Sequence, residues 1–213
     1  MNFVPEATIL LQFVAATIVL TITPGPDMTL FVSRTLSQGR MAGFASAAGA
    51  YCGIVIHTTL VVVGISALIV ASPQAFLVLK ICGGGYLLYL AYQAIRYGSA
   101  FTPEKAAGGE RSLLRNWANG FWVNLLNPKV ILFYMTFLPQ FVSAHDPDAP
   151  AKLFFLGMLS IAVAIPLTAP MIVAAERFAA MMKRSPRATR IVDYLLAGLF
   201  SAFAIKILSA QAK

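Results

Sequence analysis

The sequence predicts an all-α membrane protein: six transmembrane helices arranged as two inverted three-helix repeats, with helices 1, 4 and 5 broken at prolines. Three observations predict it. The 213 residues are 59% hydrophobic and only 11% charged, against about 25% charged in soluble domains, which excludes a water-soluble globule and a disordered chain. The apolar residues run in stretches of spanning length rather than in short alternating segments, so the spans are helices and not barrel strands. Finally, two of those runs are interrupted by proline and charge, at Thr23-Pro24-Gly25-Pro26-Asp27 and at Asn127-Pro128-Lys129.

Taken in order, the first span covers 9–33. Its leading end carries Glu6 and no Lys or Arg, and no small-residue cleavage site follows, so it is a retained helix and not a secretory signal. The second, 43–70, has a stripe of Ala45, Gly49, Gly53 and His57 spaced by four. Small residues at that spacing let helices approach closely, which assigns Gly49 and Gly53 to helix packing. The third, 76–96, presents Tyr86, Tyr89 and Gln93 on one face after Gly83-Gly84-Gly85, and its Lys80 can snorkel to the interface. The fourth is 117–139, the fifth 152–175 with Pro166 and Pro170 inside it, and the sixth 190–209, where Lys206 can also snorkel.

The longest connection, 97–116, carries Gly98, Ser99, Pro103, Gly108 and Gly109 and divides one integral membrane domain, 1–213, into halves 1–98 and 116–213. Three spans per half force opposite orientations. The net charge of +8 does not point to nucleic acid, because eleven of the sixteen Lys and Arg sit in the first, third and fifth connections. That bias places these connections in the cytoplasm and both termini outside it.

Counted from the cytoplasmic ends of their spans, Pro24 and residues 126–127 both fall near the bilayer midplane. A proline there frees a carbonyl one turn earlier, and Pro24, Gly25 and Pro26 together predict a short unwound segment between two half-helices with partially charged ends. Asp27 is a functional candidate because an acid in hydrocarbon is costly, although capping the second half-helix is the plainer role. Asn124 and Asn127 share a face, to contact a solute or to glue helices. Lys129 needs a partner, either Asp27 or a solute carboxylate, since two unpaired charges would cost about 5–7 kcal/mol. Opposed poles of this kind suit a zwitterion. Pro24, Gly25, Pro26, Asp27, Asn124, Asn127, Pro128 and Lys129 are therefore the expected substrate-binding residues. Asp27 is the first candidate to carry a coupling proton, and His57 the second, its commoner role being packing.

Other chemistries are not supported. Cys52 and Cys82 differ in depth by on the order of 13 Å, too far for a disulfide, and are expected to pack. No metal-ligand set, phosphate-binding loop or nucleophile with an adjacent base is recognisable, so neither cofactor, metal nor enzyme activity is expected.

Thr23 to Asp27, Lys80 with Gly83 to Tyr89, Asn124 to Lys129, and Leu138-Pro139-Gln140-Phe141 resemble, in order, spacing and total length, the LysE/RhtB family of bacterial amino-acid exporters. The neutral site is more similar to the RhtB branch, which exports homoserine, threonine and other neutral amino acids. The resemblance implies a multi-pass protein of the bacterial inner membrane, driving efflux of a small amino acid by proton antiport. Its partners would be that solute, protons and lipid, with room for a homo-oligomer and none for nucleic acid. An exporter of basic amino acids, or an inorganic-ion or metal transporter on the same six-helix plan, is the alternative.

Overall fold

The computed structural model describes residues 4–71, 112–143 and 146–184, together with separate residues between 78 and 96 and between 187 and 205. Among the described residues every regular element is helical. The first helix, α1 (Ala7–Ile22), stops because Pro24 and Pro26 cannot supply backbone donors. The second, α2 (Pro26–Gln38), restarts with Pro26 at its first position, where a missing N–H is harmless, and is bent 51° from α1. It ends at Gly39, whose φ of 87° suits glycine and whose N–H closes on the Thr35 carbonyl at 3.0 Å.

After that turn comes α3 (Arg40–Ala71), of which Arg40–Gly64 is long and apolar enough to cross a membrane. Ser112 caps α4 (Leu113–Leu125), accepting from the Arg115 N–H at 3.3 Å. A 54° bend leads into α5 (Pro128–Leu132), which continues through a π turn, Phe133–Phe137, and a 3-10 turn, Leu138–Phe141. The second spanning helix is α6 (Ala149–Val173), and α7 (Ala175–Arg184) follows it directly. Counting each bent pair as one span, the described residues supply up to four. In the first turn of α6, Lys152 pairs with Asp146 of the preceding loop at 2.6 Å and holds that carboxyl below the usual carboxylate range.

Packing is closest between α3 and α4. A Cβ on Gly49 would fall on the Trp117 carbonyl, and one on Gly120 on the Ser46 carbonyl, so the two backbones touch directly. The α3 helix also packs on α6 and α2, and α1 packs on α6. Two apolar clusters result. One joins Phe13 of α1 to Phe133, Phe137 and Phe141 beyond the second bend and to Leu153 and Leu156 of α6. The other joins Met28 and Phe31 of α2, Ala50 of α3, and Met171 and Ile172 of α6. Large apolar side chains such as Leu11, Leu60, Val63 and Ile165 face outward. A surface of that kind belongs in lipid.

Several expectations need correction. The fifth span is not broken at Pro166 or Pro170: α6 runs through both. Both prolines are exposed, no glycine or second proline adjoins either, and the buried face of Leu153, Leu156, Ser160, Ala164 and Thr168 holds the helix in register. The segment from Glu176 is helical as far as Arg184, not a loop, because its alanines and methionines favour helix and Glu176 suits a first turn. The connection expected from Arg34 to Arg40, after a first span ending at 33, is present but confined to the turn at Gly39. The α2 helix continues to Gln38, and Arg34 is 9% exposed. Cys52 is exposed rather than packed, about a quarter turn off the Gly49–Gly53 stripe. Most of the third span and half of the sixth fall outside the described residues, as do 97–111 of the linker and Lys80, Cys82, Gly83, Gly84, Tyr86, Gln93 and Lys206.

Candidate functional site

Each bend deprives a backbone carbonyl of its helical donor, replaced at the first by a side chain and at the second by a nearer backbone N–H. Pro24 has no N–H to offer Leu20, four residues back. The Lys129 Nζ donates to the Leu20 carbonyl at 2.9 Å and to the Thr23 carbonyl at 2.8 Å, so α5 holds the end of α1. Pro128 likewise has none to offer Asn124. The Asn127 N–H donates to that carbonyl at 3.0 Å, and His57 Nε2 lies 3.4 Å from it. A buried carbonyl left bare would cost about 1–3 kcal/mol. The His57 ring also stacks on Tyr134, with centroids 5.7 Å apart.

Asp27 does not cap α2. Its carboxylate reaches across to α4 and accepts from Asn124 Nδ2 at 2.8 Å through Oδ2. Its Oδ1 is buried without a hydrogen-bond partner. The Asn127 amide stands beside the same carboxylate, its Nδ2 also buried. Through Oδ1, Asn127 caps α5, accepting from the Lys129 N–H at 3.0 Å. Gly53 leaves the space that Asn124 fills, since a Cβ there would lie 2.6 Å from Asn124 Oδ1.

Asp27, Asn124, Lys129 and Gly25 border one cavity of about 80 Å³ between the two apolar clusters. Its lining is mostly apolar, with hydroxyl-bearing residues set into it: Thr17 and Thr21 of α1, whose hydroxyls donate to the carbonyls of Phe13 and Thr17, Tyr51 of α3, Tyr134 of the π turn, and Ser160 and Thr168 of α6. Ser160 donates to the Gly157 carbonyl at 2.6 Å, which leaves the Tyr134 hydroxyl to donate to Ser160 at 2.5 Å. The arrangement brings to one cavity a carboxylate with an oxygen that lacks a donor and an ammonium held by two backbone carbonyls. It can hold a small solute with both an amine and a carboxylate.

The structure thus brings Gly25, Asp27, Asn124 and Lys129 to the cavity. Pro24, Pro26, Asn127 and Pro128 shape its two bends, while His57, Gly49 and Gly53 stand behind it on α3. Sequence reasoning missed the hydroxyl-bearing side chains of the cavity lining. Ser160, Ala164 and Thr168 were legible as a stripe at four-residue spacing, but Tyr134 is turned inward by a π turn that composition does not announce.

Apolar helices of spanning length that bend around a polar cavity fit a membrane protein, and the chain belongs to the LysE type translocator family, whose model matches residues 18–211. It is 30% identical over 192 residues to the homoserine/homoserine lactone efflux protein of Salmonella typhimurium, covering 90% of this chain and 92% of that one. The same identity and coverage hold for the protein of that name from Salmonella typhi. A membrane protein of Bacillus subtilis, YrhP, is 30% identical over 144 residues, covering 64% of this chain and 69% of its own. No solved structure matches.

Proposed function

We propose that the protein is a secondary active exporter of small neutral amino acids of the homoserine and threonine kind, working by proton antiport. One observation carries the reading: the Asp27 carboxylate, with one oxygen unfilled, and the Lys129 ammonium border a single small cavity where two helices bend. Charges are kept at such depth for a polar solute that crosses. The names of the two Salmonella relatives support efflux as the direction and a hydroxylated amino acid as the solute.

In this reading halves 1–98 and 116–213 are inverted three-helix repeats that rock about the cavity, in a bacterial inner membrane with both termini outside the cytoplasm. Asp27 takes a proton when the unloaded site faces outward. It releases that proton when a zwitterion binds from the cytoplasm. A growth-inhibition panel with and without expression tests the substrate class. Expression is expected to confer resistance to homoserine, threonine and their analogues. Resistance confined to lysine and arginine analogues, or to metal salts, would replace this reading with one of the alternatives.

A further inference from the structure

We propose that Lys129 is a resident stand-in for the transported ammonium: its amine fills the carbonyl pair that the α1–α2 bend exposes, and an amine-bearing solute binds there by displacing it. The inference rests on the function proposed above and deepens it, by locating the amine subsite and identifying what occupies it between cycles.

The carbonyls of Leu20 and Thr23 are the receptor. The Leu20 carbonyl has lost its helical donor to Pro24, both groups lie at the negative end of α1, and they point at one nitrogen, 2.9 and 2.8 Å away. A primary ammonium carries three N–H donors, and a lysine side chain and an amino acid present the same group. Lys129 arrives from the opposite half of the chain on a flexible four-carbon stem. Its backbone is fixed separately, by its own N–H on Asn127 Oδ1 at 3.0 Å, so the amine can leave without unravelling α5.

Gly25 gives the seat its room. A Cβ on that residue would lie 3.3 Å from Nζ and 3.5 Å from Cε. Asp27 borders the same cavity without bonding the lysine, its Oδ2 taken by the Asn124 amide and its Oδ1 buried with no partner, so an arriving ammonium meets the field of a carboxylate as well as the two carbonyls. Once the solute's amine has taken the carbonyls, the displaced lysine is free to meet the solute's carboxylate. The cavity then holds matched charges both before and after the exchange. A lysine serving only as a permanent staple would instead hold the bend shut, and its loss would open no subsite.

The test uses the purified full chain in lipid nanodiscs and titrates propylammonium by calorimetry into wild type, Lys129→Met and Gly25→Ala. Propyltrimethylammonium, which has the charge but no N–H, is the control. Lys129→Met is expected to bind propylammonium at least about tenfold more tightly than wild type, the worth of one charge-assisted hydrogen bond no longer competed for. The quaternary ion should gain less than about twofold, since it cannot use the carbonyls. Gly25→Ala keeps the lysine but crowds its seat, so it should show a smaller gain in the same direction, and it carries the test alone should Lys129→Met not fold. Equal affinities in all three proteins, or an equal gain for the quaternary ion, would overturn the inference. Absence of amino-acid efflux from wild-type proteoliposomes would overturn the export reading instead, and the amine titrations would still decide the subsite.

Discussion

Asp27→Asn is expected to cut amino-acid efflux from proteoliposomes by about 10–100-fold, because a charge-assisted hydrogen bond of about 1.5–3 kcal/mol to the solute's amine is lost. The substitution is nearly isosteric, and the Asn124 amide can still find an oxygen at that position, so the fold should persist. What distinguishes a carrier of protons from a mere ligand is the response to pH. Wild-type efflux should accelerate when the outside is made acidic, and the residual flux of Asp27→Asn should not. Full efflux driven by the pH gradient in Asp27→Asn would remove Asp27 from that role. His57 would then be the next group to replace, although it stands behind the cavity on the Asn124 carbonyl.

The second large effect is on stability. Gly49→Val places a branched side chain against the Trp117 carbonyl and the Phe121 N–H, and Gly120→Val does the same against the Ser46 backbone. No rotamer relieves a clash between backbones, so α3 and α4 must separate. Overpacking typically costs 1–3 kcal/mol, and at roughly 2–4 °C per kcal/mol for a chain of this size the apparent melting temperature should fall by about 2–12 °C. Gly64→Val is the matched control, since a Cβ there meets nothing within 4 Å. A melting curve in detergent that shifts equally for all three variants would show that the α3–α4 contact does not hold the protein together.

The two bends were legible because proline chemistry is local. Pro24 and Pro128 each remove a helical donor, and a charge follows each within three residues. The same reasoning over-reached at Pro166 and Pro170. There the loss of a donor is spread over a 25-residue helix whose opposite face is well packed. The Gly49 and Gly53 stripe was legible as close packing, but not that its neighbour would be α4, because small residues specify a distance and not an identity. The partners of Lys129 were less readable still. A charge in an apolar run calls for an opposite charge or a solute, whereas the structure gives it two carbonyls more than a hundred residues away. Backbone acceptors carry no signature in a sequence, and a proline's orphaned carbonyl is visible only to a reader who counts four residues back.

The central claim is that the cavity between the bends holds the transported solute. Thr21→Cys, made in a protein whose Cys52 and Cys82 are replaced by Ser, puts a thiol on the cavity wall. Its rate of modification by a small cationic methanethiosulfonate is measured with and without saturating homoserine, beside a control cysteine at Leu11, which is exposed on the outside of α1. Protection of residue 21 by homoserine, with residue 11 unaffected, is the predicted result. Modification of residue 21 at one rate whatever amino acid is present would contradict the account.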